Sequence, residues 1–304
     1  MGGNATPHPS ETRARARFGV HTPLQHATPT TLRKVWCIAD TSGFDWISVW
    51  DHFVPVTSLP GADPGDGDNH EAVSMHAALA LATRHARVGC LVYNVSYRSA
   101  AVLAKAAATI DHLSDGRAVI GLGAGYLQLE YERFGLEFPT TRQRSALLDS
   151  TARELRHLLD EVVSPAPIQA RLPIVIGGGG ELRTIPLAAT FADGWNIAMP
   201  TVEDFARKNA LITSHAETIG RNPATIERTV SLGLCFDEAQ LPERFGARWG
   251  VLRAAVLSGS TQAVIDKVAS YVDAGADTVI LSLRNPYGTD EIERFASEVM
   301  GAFR

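Results

Sequence analysis

The chain has 304 residues, 45% of them hydrophobic and 20% charged, with a formal net charge of −5. That balance fits a globular domain with a sizeable core and excludes a strongly basic nucleic-acid binder. No membrane span is expected, because the longest apolar stretch, "AALALATRHARVGCLVYNV", is cut by Arg84 and Arg87.

Residues 1–16 have almost no apolar content and read as a disordered leader, with the basic run "RARAR" at its end. No hydrophobic signal core is present. Cys37, Cys90 and Cys235 are isolated and odd in number, as expected of small buried residues in a reducing compartment, so a cytoplasmic location is expected. Residues 17–304 are expected to form a single domain.

From there the chain alternates between two periods. "RFGVH" (17–21) reads as a strand, and "TPTTLRKVWCIADTSG" (28–43) as a helix capped by Thr28 and Pro29 and ended by Gly43. A strand at 45–50, a helix at 72–84, a strand at 86–94, a helix at 99–114 and a strand at 117–125 follow. The second half continues with a helix at 142–159, a strand at 172–180 and a helix at 181–191, in which Pro186 must mark the first turn or kink the helix. A strand at 193–198, a helix at 201–220 and a strand at 226–236 come next. A variable helical stretch then runs to about Ser258, before a helix at 261–275, a strand at 276–283 and a last helix at 289–303. Eight strands alternate with helices, and runs such as "PIVI" and "TVILSL" are apolar throughout, as buried parallel strands are. The expected fold is an α/β (β/α)8 TIM barrel. A doubly wound open sheet would open with a glycine-rich nucleotide loop, whereas the first strand here ends in "VHTPLQ".

Barrel chemistry sits at the C-terminal strand ends. Those ends carry His21, Asp51-His52, Tyr93-Asn94, Gly121 to Tyr126, Gly177 to Gly180, Trp195-Asn196, Cys235 and Arg284-Asn285. Within "WDHF" (50–53), His52 is a candidate general acid or base and Asp51 the partner that would orient its ring. The plainer alternative is a capping aspartate beside a packed histidine. The ten histidines include no HxH or HExxH spacing, so no metal site is expected. "GLGAG" lacks the third glycine of a dinucleotide fingerprint, because Tyr126 and Gln128 stand there. Gly123 and Gly125 would let a flat ring lie against the strand end with Tyr126 at its rim; a tight turn is the alternative. "GGGG" (177–180), set between a strand and a helix, is a natural phosphate cradle. Trp50, Tyr93, Tyr97 and Trp195 would wall an aromatic ligand. Together they point to a phosphorylated flat cofactor.

The blocks "WDHF", "VGCLVYNVSYRSAAVLAKAAATIDHLSDGRAVIGLGAGY", "EYERFGLEFP" and "PIVIGGGGELRTIPLAATFADGWN" carry a resemblance that runs from about Phe18 to the last helix. The chain resembles the luciferase-like monooxygenase superfamily, and within it the coenzyme F420-dependent oxidoreductases. The resemblance implies a barrel that binds F420, or alternatively FMN, at the C-terminal strand ends and acts on a small organic substrate. It also implies a non-prolyl cis bond at Leu91-Val92 behind the ring, Asn94 facing the ring edge, phosphate on Gly177, Gly178 and Gly179, and His52 near the hydride-accepting carbon. It further implies a homodimer formed through helices near the second and third strands. Two positions depart from the glucose-6-phosphate branch, with Tyr126 in place of a glutamate and Val56 in place of a tryptophan. The segment "DEVVSPAPIQAR" (160–171) is shorter than in many relatives, which would leave one wall of the substrate cleft open or to a partner subunit. F420-dependent hydride transfer is therefore expected. FMN-dependent oxygenation is the alternative, and a non-catalytic flavin carrier a third.

Overall fold

A computed structural model describes residues 15–56, 63–246 and 249–304. Nine strands lie in one parallel sheet. They are β1 (Arg17–His21), β2 (Trp46–Val49), β3 (Arg87–Asn94), β4 (Ala118–Gly123), β5 (Ile174–Gly177), β6 (Gly194–Ala198), β7 (Glu227–Cys235), β8 (Val256–Ser258) and β9 (Thr278–Ser282). The sheet closes because β9 pairs with both β7 and β1 while β6 pairs with β7. The closed ring has eight strands, as the sequence leads one to expect. The short β8 is an addition outside the ring, joined to the upper end of β7 through Gly233 to Cys235. It lies in the stretch that reads as helical in sequence.

Polar caps fix the helix starts. Thr28 accepts from Thr31 N ahead of α1 (Pro29–Thr41), and Ser99 accepts from Val102 N ahead of α3 (Ala100–Leu113). Thr140 and Gln143 form a reciprocal capping box on α5 (Thr141–His157). α2 is Ala72–Ala82, α6 is Thr184–Phe191 and α7 is Val202–Thr218. A short α4 (Gln128–Arg133) was not expected; it starts at Leu127 without a side-chain cap. Past β7 come α8 (Leu241–Phe245) and α9 (Trp249–Leu252), then α10 (Thr261–Asp273) and α11 (Thr289–Glu298). Of the expected leader, residues 1–14 lie outside the described residues. Ala16 is packed instead of disordered, with its N–H on Phe303 O.

Strand alternation separates two cores. Outward residues such as Val20, Ile47, Cys90, Ile120 and Ile176 pack under the helices. Trp46, Leu91, Val119, Val175 and Ile280 form a second buried cluster, so the lower barrel is filled and is not a pore. The alternation breaks in β3, where the pairing with β4 shifts between Cys90 and Tyr93. This bulge turns both Leu91 and Val92 inward. A Cβ on Gly121 would lie 1.7 Å from Leu91 O, and one on Gly177 would lie 2.1 Å from Val92 Cγ1. These glycines are therefore the space into which the bulge fits. The Leu91-Val92 bond is trans, against expectation; the cis bonds of the described residues are Ser164-Pro165 and Asn285-Pro286.

The segment 160–171 also departs from expectation. It joins the end of α5 to the start of β5, and Lys105, Asp111 and His112 of α3 hold it by hydrogen bonds. It therefore lies at the N-terminal face and forms no wall of a cleft at the opposite end. At the C-terminal end of β7, the described residues 236–246 and 249–258 follow, and there Phe236 N and Arg244 both bind Glu291.

Gly121→Ala should destabilise the protein by about 3 kcal/mol or more, because the clash is with backbone. Gly301→Ala meets open space and should change little. Thermal melting of the two variants checks this.

Candidate functional site

His52 follows β2, and its Nδ1 lies 3.0 Å from Glu130 Oε1 on α4. Glu130 is 1% exposed, yet it also accepts from Phe53 N at 2.6 Å and from Tyr97 Oη at 2.6 Å. Burial pushes its pKa up, but the hydrogen bonds and charge of these partners outweigh burial and hold it below the ordinary carboxylate range. An ionised carboxylate only accepts, so Nδ1 of His52 is the donor, and Nε2 is the ring atom that can release or accept a proton. The ring packs edge-on against Trp50 at 4.8 Å and Tyr126 at 5.7 Å.

Asp51 does not orient His52. Its carboxylate takes both Arg98 Nη1 at 2.6 Å and Nη2 at 3.0 Å, together with Asn94 N at 2.9 Å. Burial raises its pKa and Arg98 only partly offsets that, so the net shift is upward. Asp51 instead ties the ends of β2 and β3 together beneath the site. Asn94 is itself held, with Nδ2 on Tyr131 Oη at 3.0 Å and Oδ1 taking Ser96 N. Its side chain packs against Gly125, whose φ is +71° and whose absent Cβ would strike both Asn94 and Tyr131.

Other expected residues divide by strand face. His21 faces inward, with Nδ1 on Ser48 Oγ at 3.0 Å. Burial first, then the charges of Arg284 and His52, lower its pKa to about 3, so it is neutral. Asn196, Thr229 and Ser231 form a second polar group inside the upper barrel. Leu91 and Val92 are inward, as expected of a platform, although through the bulge. Gly123 makes room for Val92, which lies 3.3 Å from where its Cβ would be. Trp195 and Tyr93 face outward and wall no cleft. Trp195 stacks on Phe205 of α7, and Tyr93 Oη meets His76 of α2. Trp195 still serves the glycine run from behind, donating from Nε1 to Gly178 O at 2.8 Å. Tyr126 is 64% exposed at the rim. Tyr97 stacks on Phe53 at 4.0 Å.

Gly177–Gly180 turn over the end of β5. Gly178 has φ +122° and its N–H binds Asn196 O. A Cβ on Gly177 would lie 2.1 Å from Val92 Cγ1, and those on Gly179 and Gly180 would meet side-chain ends, Lys208 Nζ at 2.8 Å and Thr184 Oγ1 at 2.9 Å. The next helix, α6, does not begin at once: a turn, Glu181–Arg183, intervenes, and Pro186 falls in the first turn of α6. The segment 53–71 is described at its ends only, and 57–62 lie outside the described residues. Its second half is fastened to α4 through Arg133, which binds Gly65 O and Asp66, and Asn69 receives Trp50 Nε1. No group of metal-binding side chains occurs among the described residues. No helix among them is long and apolar enough to cross a membrane.

Residues 12–249 match the luciferase-like monooxygenase family. The chain belongs to that family. It is 28% identical over 249 residues to the 5,10-methylenetetrahydromethanopterin reductase of Archaeoglobus fulgidus, covering 78% of this chain and 69% of that one. Its fold matches an F420-dependent secondary alcohol dehydrogenase in complex with an F420-acetone adduct, with TM-score 0.82, 17% identity and coverage of 95% and 99%. It also matches the oxygenating constituent of 3,6-diketocamphane monooxygenase from Pseudomonas putida in complex with FMN, with TM-score 0.76, 14% identity and coverage of 94% and 98%. In this luciferase-like barrel, sequence reasoning missed Glu130 and Arg98 as the partners of His52 and Asp51. Glu130 sits in "EYERFG", which the resemblance includes, but the short uncapped α4 gives no periodic signal.

The depressed pKa of His21 has a signed consequence. The unfolded chain takes up the proton near pH 6.5 and the folded chain only near pH 3. Stability from this group is complete above about pH 6.5 and falls as pH drops toward 3, by at most about 1.4 kcal/mol per unit. Histidine NMR should show His21 neutral through pH 5.

Proposed function

We propose that this protein is an oxidoreductase that transfers hydride between coenzyme F420 and a small organic substrate, with His52 as the proton-handling group. The observation that carries this reading is the His52–Glu130 pair set beside the bulged β3 platform. Glu130 fixes the tautomer of His52 and leaves Nε2 able to take a proton from a substrate hydroxyl or return one. Leu91 and Val92 offer an apolar inner surface against which a planar ring can lie, and Gly177–Gly180 offer a cradle for its phosphate. The residues therefore fit a flat phosphorylated cofactor. Bound F420 would supply hydride chemistry with little reactivity toward oxygen, because its deazaflavin has carbon where flavin has its reactive nitrogen. Trp50 and Tyr126 pack edge-on against the His52 ring and help to hold it in place. The chain is also 28% identical over 240 residues to the F420-dependent glucose-6-phosphate dehydrogenase of Kineococcus radiotolerans, which supports this cofactor over FMN.

In an absorbance and fluorescence titration the protein should bind F420 more tightly than FMN. His52→Ala should retain F420 and lose turnover of secondary alcohols or reduced pterins by about 10²–10⁴-fold. Glu130→Gln should retain binding and lose at least about tenfold in turnover, since the tautomer and orientation of the histidine are then no longer fixed by a charge. Tight FMN binding with oxygen consumption would overturn the reading. We also propose a homodimer through α2 and α3, whose Leu81 and Val102 are 68% and 59% exposed. Light scattering should then give twice the chain mass, and a monomer would contradict it.

A further inference from the structure

A Cβ placed on Gly179 would lie 2.8 Å from Lys208 Nζ and 3.0 Å from Ile197 Cδ1, so the ammonium abuts the middle of the glycine run. Lys208 comes from α7 and its side chain is 14% exposed. Nζ donates to Asp204 Oδ2 at 2.8 Å. Arg207 donates to Asp204 Oδ1 at 2.7 Å and to Glu181 Oε1 at 2.6 Å. Alternating charges thus run from α7 to the turn that leaves the cradle. Two cations and two carboxylates cancel in this arrangement.

Packing alone gives no reason for an ammonium here. An apolar side chain of similar length would fill the space beside Ile197 without the cost of desolvating a charge. The glycine amides, for their part, offer oriented dipoles but no net positive charge, while a phosphate ester brings at least one full negative charge. We infer that Lys208 is an anion-binding residue of the cradle, giving the cofactor phosphate a charge-assisted hydrogen bond, with Asp204 as its partner when no phosphate is bound. This rests on the reading that a phosphorylated cofactor occupies the cradle. Asp204 then limits affinity: its carboxylate shares the ammonium with the phosphate and repels it. A phosphate binds through one lysine as a point charge, so ionic strength weakens the contact.

Fluorescence titrations of the full chain with F420, FMN and riboflavin, which lacks phosphate, test this at several salt concentrations. Lys208→Met should weaken binding of the phosphate-bearing rings by roughly tenfold or more, flatten the salt dependence and leave riboflavin unchanged. Lys208→Arg should restore most of the loss, and Asp204→Asn should tighten binding a few-fold. Wild-type F420 affinity and salt slope in a folded Lys208→Met protein would overturn the inference and leave the proposed function standing. Equal losses in Lys208→Met and Lys208→Arg would also overturn it, because packing and not charge would then be at work. Failure of the wild type to bind either F420 or FMN would overturn both.

Discussion

One buried carboxylate holds the mouth of this barrel together. Glu130 receives His52 Nδ1 and Phe53 N from the end of β2, and Tyr97 Oη from the end of β3. Taking an isolated carboxylate out of water costs several kcal/mol, so the site persists only because each donor is in place. The dependence is mutual, since without the charge neither the histidine tautomer nor the start of the 53–71 segment has a fixed partner. The chemistry proposed for His52 follows from this arrangement.

A second constraint is steric. The β3 bulge drives Leu91 and Val92 into the barrel, and Gly121, Gly123 and Gly177 on β4 and β5 are the empty positions that accept it. Platform and cradle are thereby coupled, because Gly177 both clears space for Val92 and opens the run 177–180. Trp195 braces that run from the outer face. Below the site, Asp51 joins the end of β2 to the end of β3 through Asn94 N and Arg98.

The barrel was legible in the sequence because continuous apolar strands and capped helices alternate with little ambiguity. β1 falls on the residues that periodicity indicates, 17–21. What alternation cannot show is a bulge, so the inward turn of Val92 and the purpose of Gly121 were hidden. Strand parity also decides which aromatic residues face the mouth, and reading strand ends as a set placed Trp195 and Tyr93 on the wrong side. Adjacency in sequence misled for Asp51: neighbours at a strand end point to opposite faces, so the nearest acid to His52 is not its partner. The partner is 78 residues away on a six-residue helix. The segment 160–171 shows the same limit, since its position after a helix and before a strand assigns it to the lower face whatever its length.

The most direct measurement is a crystal structure of the protein with F420 bound. The expected result places the deazaflavin against Leu91 and Val92, with its reactive carbon near enough to His52 Nε2 for a substrate carbinol to lie between them, and the phosphate against Gly177–Gly180. A ring held elsewhere, such as the groove of about 350 Å³ between α5 and α6 lined by Leu148, Arg183 and Leu187, would contradict it.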